Sequence, residues 1–179
     1  MPNNRKIEFP SLETDRLNLR ILTLHDAEEV WKHFSDEEVT RFMDIEPCKD
    51  IKEAEEIIRF HLEDSGCRWG LFDKDKNNLI GTCGYHCLRR ADDHFIAEVG
   101  FDLSKLYWGK GLMYEGMKGI IDFGFRELGL TMIDATAEPE NKRSINLMSK
   151  LGFQREVERK DHLISFNLNR KSLRGPENG

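Results

Sequence analysis

The segment that decides the fold lies at residues 104–116 and reads SKLYWGKGLMYEG. A strand-like run, His94 to Leu103, precedes it, and apolar residues recur at helical intervals from Gly111 to Leu128 after it. Gly109 and Gly111 have no Cβ, so a ligand can approach the backbone closely, and the first amides of the following helix have no intrahelical partner. Together with the helix dipole, these amides predict a site for phosphate or pyrophosphate.

The loop differs from the familiar phosphate-binding loops. It lacks the Gly-Lys-Ser/Thr ending of a P-loop and the third glycine of a dinucleotide fingerprint. A transferase that uses a nucleotide triphosphate is therefore the weaker alternative. A glycine pair at a helix start is also typical of a plain tight turn, so this loop alone does not decide the function.

The rest of the chain predicts one mixed α/β domain, because no repeat and no Pro/Gly/Ser-rich linker divides it. About seven strands, largely antiparallel, are expected at residues 16–21, 67–73, 79–88, 94–103, 132–137, 153–157 and 162–168. Helices flank them, among them residues 24–34 and 141–151. We expect the domain to occupy residues 11–170, with an N-terminal extension at 1–10 and a frayed tail at 171–179.

Composition excludes several classes of function. The 179 residues are 39% hydrophobic and 34% charged, which is typical of a soluble globular protein. The N-terminus has no apolar signal core and no apolar run approaches the length of a spanning helix, so we expect a cytoplasmic protein without membrane contact. A net charge of −6 argues against nucleic acid as a partner. Four cysteines without zinc-site spacing predict reduced thiols and no metal: Cys48, Cys67, Cys83 and Cys87.

Four features coincide with a known family in order and spacing. They are Glu13-Thr14-Asp15-Arg16-Leu17, the Trp108–Gly111 loop, Glu115, and the run from Glu140 to Ile145 that is followed by Leu151-Gly152-Phe153. The chain resembles the GNAT acetyltransferases, in the branch related to the RimJ/RimL ribosomal-protein N-terminal acetyltransferases. The resemblance extends from about Ser11 to Leu168, and it implies a single GNAT-like domain with a splayed sheet.

The resemblance also implies acetyl-CoA as cosubstrate. Its pyrophosphate is expected on the amides of Gly109, Lys110, Gly111, Leu112 and Met113. Its pantetheine is expected as a pseudo-strand beside Phe101 to Leu103, where two strands of the sheet splay apart. Asn141 is expected to hydrogen-bond the pantetheine or a bound water.

One position departs from the family pattern. The loop often begins with Gln or Arg, and Leu106 stands there instead. A leucine cannot help to neutralise phosphate, so backbone amides are expected to carry the binding, assisted by Lys110 or Lys105.

Two residues are candidates for catalysis. The resemblance makes Ser144 a proton donor to the departing thiolate, and Glu98 a base for the incoming amine. The alternatives are that Asn141 and Ser144 only cap a helix, and that Glu98 is a solvated or salt-bridged strand residue. Glu138 is a second choice for the base.

These expectations combine into one predicted function. The protein is an N-acetyltransferase that moves an acetyl group from acetyl-CoA to a primary amine by direct attack in a ternary complex. The acceptor is a protein N-terminus or a small-molecule amine, received by the regions Phe34 to Ser65 and Leu88 to His94. The alternative is a catalytically silent CoA-binding or regulatory module. A homodimer is plausible from the frequency of such assemblies alone.

Overall fold

The computed structural model of the chain describes residues 6–157 and 161–173. Within these residues one sheet of eight strands has the order β1-β2-β3-β4-β5-β6-β8-β7. The strands are β1 (Leu12–Glu13), β2 (Leu17–Ile21), β3 (Cys67–Asp73), β4 (Leu79–Ala91), β5 (His94–Leu103), β6 (Met132–Ala137), β7 (Gln154–Arg155) and β8 (Ile164–Asn169). The α-helices of the same residues are α1 (Ala27–Phe34), α2 (Glu37–Thr40), α3 (Ile51–Glu63), α4 (Leu112–Arg126) and α5 (Lys142–Lys150).

The predicted fold class, a mixed and largely antiparallel sheet flanked by helices, is confirmed. The five-residue polar turn between β3 and β4 is where the sequence predicts it. The short strand β1 is additional to the seven expected. The predicted boundaries of the tail and of the N-terminal extension fall partly outside the described residues.

Strand β4 continues farther than its pattern suggests. Its register with β5 shifts between His86 and Arg89, and Cys87 between them has φ 50. The strand then resumes and ends at Ala91, so the predicted connection at residues 89–93 shrinks to a tight turn. A bulge interrupts the side-chain alternation from which a strand is recognised, so the strand pattern in the sequence ends at Leu88.

The two faces of the sheet are packed differently. Helices α4 and α5 cover the face that carries Trp69 and Tyr85, both fully buried. The Tyr85 hydroxyl donates a hydrogen bond of 2.6 Å to the backbone carbonyl of Ile120 in α4. Helices α1 and α3 cover part of the opposite face through a second apolar cluster that includes Phe34 and Ile58. Each face thus has its own core.

Strands β5 and β6 are parallel and separate partway along their length. Their pairing runs from Ile96 opposite Met132 to Glu98 opposite Asp134. Both strands continue past this point, β5 to Leu103 and β6 to Ala137, but among the described residues they do not pair with each other there. The splay expected from the family resemblance is therefore present, and it opens a gap in the sheet beside the glycine loop.

No helix in the described part of the chain is long and apolar enough to cross a bilayer.

Candidate active site

The glycine loop presents a row of unpaired backbone amides. Gly109 and Gly111 have φ 73 and φ 74, and α4 begins directly afterwards at Leu112. Its first intrahelical bond is donated by the Glu115 amide to the Gly111 carbonyl. Among the described residues, no acceptor pairs with the amides of residues 109–114. Successive amides that converge at a helix N-terminus form a concave anion site.

Hydrogen bonds from two residues near the N-terminus, Thr14 and Arg16, hold this loop in place. The Glu115 carboxylate in the first turn of α4 accepts hydrogen bonds from the Thr14 hydroxyl at 2.6 Å and from the Arg16 backbone and Nε at 2.7 Å. Arg16 also donates to the carbonyl of Lys110 at 2.9 Å. Burial alone would raise the pKa of Glu115, but these donors lower it below its ordinary value. Glu115 thus has a structural role.

One cleft joins the loop to β5 and to the start of α5. Its volume is ≈ 410 Å³. The predicted cofactor-binding residues that line it are Phe101, Leu103, Gly109, Gly111, Leu112, Met113 and Asn141, together with Ser144. Lys110 is not among the residues that line the cleft. Its ammonium lies over the ring of Tyr107, 5.4 Å from the centroid.

The edge of β5 that faces the gap follows from the hydrogen-bond alternation. The Ser104 amide donates to Ile80 beside β4, whereas the Phe95 carbonyl accepts from Thr131 on the β6 side. The backbone amide and carbonyl groups of successive residues point to alternate edges of a strand. Those of Val99, Phe101 and Leu103 therefore point toward β6. The Leu103 carbonyl is already occupied, because the Trp108 indole donates to it at 2.8 Å. The Glu98–Asp134 pairing occupies the Val99 amide, so the amides of Phe101 and Leu103 remain on the open edge.

The first turn of α5 borders the same cleft. The Asn141 side-chain oxygen accepts a hydrogen bond from the Ser144 amide at 3.2 Å, so Asn141 is the N-cap of α5. Asn141 therefore caps the helix, and its side-chain NH₂ has no hydrogen-bond partner among the described residues. Ser144 is 9% exposed and lines the cleft. Its hydroxyl has no hydrogen-bond partner in the described part of the chain.

Glu98 lies at the point where β5 and β6 separate. It is half-buried, and the Thr136 hydroxyl lies 3.5 Å from its Oε1 in hydrogen-bonding geometry. Cross-strand pairing places His86 on one side of Glu98 and Asp134 on the other, all on the face opposite α4. Burial, followed by the charge of Arg68, lowers the pKa of His86 to about 4, so this imidazole is neutral at neutral pH. Glu98 is therefore near the splay but outside the lining of the cleft.

A buried charge network beneath the cleft was missed by sequence reasoning. Asp102 of β5 contacts His33 Nε2 at 2.5 Å and accepts from Arg68 at 2.6 Å and the Thr82 hydroxyl at 2.5 Å. Burial alone would raise the pKa of Asp102, but the hydrogen bond from His33 and the neighbouring charges lower it to about 2. Asp102 also lines the cleft. Its partners are 20 to 69 positions away in the chain, so no local pattern signals the cluster.

The four cysteines are free thiols and none lines the cleft. Burial raises the pKa of Cys67 to about 12 and raises that of Cys83 as well. These groups are protonated at neutral pH and poor nucleophiles.

Sequence comparison matches residues 16–154 to the acetyltransferase (GNAT) domain family. The uncharacterized N-acetyltransferase p20 of Bacillus licheniformis is 39% identical over 150 residues, which cover 82% of this chain and 83% of that protein. The [ribosomal protein uS5]-alanine N-acetyltransferase of Escherichia coli is 31% identical over 163 residues, 86% of this chain and 82% of that one.

Structure comparison agrees at the level of the fold. The ribosomal L7/L12 alpha-N-protein acetyltransferase RimL, solved in complex with coenzyme A, superposes with a TM-score of 0.78 at 12% identity. The superposition covers 89% of this chain and 98% of RimL.

Proposed function

The chain belongs to the GNAT acetyltransferase family and is an N-acetyltransferase, and from this premise we propose that it transfers an acetyl group from acetyl-CoA to a primary amine. The observation that carries the proposal is the row of unpaired amides at residues 109–114, placed at the mouth of the gap between β5 and β6. We assign the N-acetyltransferase domain to residues 11–170.

The cofactor fits the residues present. Gly109 has open space where a Cβ would stand, with no atom within 4 Å, so a phosphate can approach its backbone. The amides of Gly109, Lys110, Gly111, Leu112 and Met113 would bind the pyrophosphate. The open edge of β5 at Phe101 and Leu103 would pair with the amides of pantetheine, and the Asn141 NH₂ would donate to it. Acetyl-CoA supplies the thioester when it is bound.

Transfer would proceed by direct attack of a neutral amine in a ternary complex. The Phe101 amide lies on the gap edge, where it would stabilise negative charge on the carbonyl oxygen of the thioester. As the new C–N bond forms and the C–S bond breaks, the Ser144 hydroxyl would donate a proton to the departing sulfur. The burial and high pKa of Cys67 and Cys83 support a route without an acyl-enzyme.

Glu98 is the residue that we assign to deprotonate the amine, directly or through a water. It is the last residue of β5 that pairs with β6, and in this proposal the acceptor enters the gap beside it. His86 beside it is neutral at neutral pH, because burial and the charge of Arg68 lower its pKa to about 4.

The acceptor is proposed as a protein N-terminus or a small-molecule primary amine. One relative is named for acetylation of the alanine terminus of ribosomal protein uS5. The cleft wall formed by Glu38, Val39, Phe42 and Met43 lies within the region 34–65 that we assign to the acceptor.

Calorimetric titration with acetyl-CoA, using two glycine variants, tests the cofactor site. Gly109 and Gly129 share positive φ values, 73 and 80, and open space where a Cβ would stand. Gly109→Asp and Gly129→Asp therefore impose the same backbone strain, but only Gly109→Asp adds a carboxylate beside the cradle. We expect Gly109→Asp to abolish binding and Gly129→Asp to retain it.

Absence of acetyl-CoA binding by the natural sequence would overturn the proposal. If binding is present, release of free thiol is then measured with a panel of primary amines. Tight binding without thiol release from any amine would instead support the silent CoA-binding module.

A further inference from the structure

The glycine loop has amides but lacks a cation directed into the cleft. Leu106, at the position where the family often has Gln or Arg, is 82% exposed and carries no charge. The Lys110 ammonium lies over Tyr107, and that of Lys105 lies 3.4 Å from the Glu38 carboxylate. A pyrophosphate on amides alone would keep most of its charge, so a cation from another element is needed to pair with it.

Two cations of α5, Arg143 and Lys150, line the same cleft, and Arg143 is the one that contacts the loop. Its guanidinium carbon lies 3.2 Å from the centroid of the Trp108 ring. Trp108 is itself fixed by the hydrogen bond from its indole to the Leu103 carbonyl. Within residues 6–157 and 161–173, Arg143 has no ion-pair partner. A guanidinium stacked on an aromatic face keeps the N–H donors at its edge, in a fork that matches phosphate oxygens.

We infer that Arg143 is the cation that binds the cofactor's pyrophosphate, together with the amides of the glycine loop. Trp108 precedes Gly109 directly, so a side chain stacked on this indole lies beside the first amides of the cradle. Trp108 is the positioning residue, because it holds the guanidinium at the cleft. This inference rests on the proposed use of acetyl-CoA, and it places in α5 the charge that the loop lacks at Leu106.

The test measures the dissociation constant of coenzyme A by calorimetry. We expect Arg143→Ala to weaken binding roughly 10- to 100-fold, the effect of one lost charge-assisted contact, and Arg143→Lys to recover part of the loss. Lys142→Ala is the matched control, because Lys142 is the exposed neighbour of Arg143 on α5 and does not line the cleft. It removes the same net charge and should leave binding unchanged within about two-fold.

A second ligand identifies the phosphate that is bound. Dephospho-CoA keeps the pyrophosphate and lacks the ribose 3′-phosphate. Arg143→Ala should therefore weaken dephospho-CoA by the same factor as coenzyme A. A loss confined to coenzyme A would assign Arg143 to the 3′-phosphate and overturn the inference. Equal affinity of Arg143→Ala and the natural sequence for coenzyme A would also overturn it.

Trp108→Leu tests the positioning role. Removal of the indole should weaken coenzyme A binding, and Arg143→Ala should then cost less in the Trp108→Leu background than in the natural one. Additive losses would contradict the role of Trp108. If the natural sequence itself does not bind coenzyme A, the proposed function fails first, and that result is distinct from a failure confined to Arg143.

Discussion

At the scale of single residues, the Asp102 carboxylate carries the largest concentration of buried polar contacts. Its side chain is 2% exposed and pairs with Arg68 and His33. Loss of this charge leaves the Arg68 guanidinium buried without its counter-ion. We expect Asp102→Asn to lower the free energy of unfolding by about 3–5 kcal/mol in urea denaturation. Asp122→Asn, which breaks an exposed pair with Arg126, should have little effect, and similar losses for both variants would contradict the assigned role.

The Glu98 carboxylate allows a kinetic prediction. If it accepts the amine proton, Glu98→Gln should lower kcat/KM for the amine by roughly 100- to 10,000-fold, while calorimetric binding of acetyl-CoA stays unchanged. The same change at Glu138, the second candidate, should have a minor effect. Thiol release measured over a range of pH distinguishes them, because only loss of the true base changes the acidic limb of the profile from that of the natural sequence. A larger loss from Glu138→Gln would transfer the role to that residue.

The sequence indicated the residues of the glycine loop but not those beneath it. Gly109 and Gly111 could be recognised because their role depends on neighbours in the chain. Asp102 alternates along β5 like any residue of a half-solvated strand, and its partner His33 is 69 positions away. The stack of Arg143 on Trp108 is likewise a contact between distant parts of the chain, because it joins α5 to the loop before α4. Long-range side-chain contacts of this kind leave no periodic signal.

At the scale of elements, α4 connects the loop to the first strands. Glu115 in its first turn accepts hydrogen bonds from Thr14 and Arg16, and Arg16 in turn holds the Lys110 carbonyl. Glu115→Ala leaves these donors unpaired, so we expect the free energy of unfolding to fall by about 1–3 kcal/mol. Asp122→Ala on the same helix is the control. Equal denaturation midpoints for the two variants would show that Glu115 does not hold the segment.

The elements themselves were largely predictable, since their signals are local. The helical apolar stripe and Gly111 indicated α4, and the polar run before Leu79 indicated the β3–β4 turn. The bulge near Cys87 and the two-residue strand β1 were not predictable. A bulge breaks the alternation, and a strand of two residues is too short to show one.

At the scale of the whole molecule, the gap between β5 and β6 was expected only from the family resemblance. Nothing in the composition of Val99 to Leu103 distinguishes a strand that pairs on both edges from one that pairs on a single edge. Helix α4 separates β5 from β6 in the chain, so neither strand alone shows where their pairing ends. The cleft is therefore a property of the assembled sheet and not of any one segment.

Two histidines with lowered pKa values predict how the free energy of unfolding depends on pH. Burial, followed by the charge of Arg68, lowers the pKa of both His61 and His86 to about 4. Asp64 and Asp102 oppose this shift at His61, and Asp64 and Asp134 oppose it at His86. The unfolded chain titrates these imidazoles near their ordinary pKa of about 6.5. Between pH 6.5 and 4 the unfolded state binds more protons, so the free energy of unfolding falls as the pH falls.

Urea midpoints measured from pH 7 to pH 5 test this dependence. Replacement of both residues, His61→Asn with His86→Asn, should flatten the decline, because these two imidazoles are no longer present to take up protons on unfolding. His25→Asn, at an exposed histidine, should preserve it. The paired Asp102 loses its contribution as the pH falls from its ordinary pKa of 3.8 to about 2, below this window. A decline that persists unchanged in the double variant would show that groups other than these two histidines couple folding to protons.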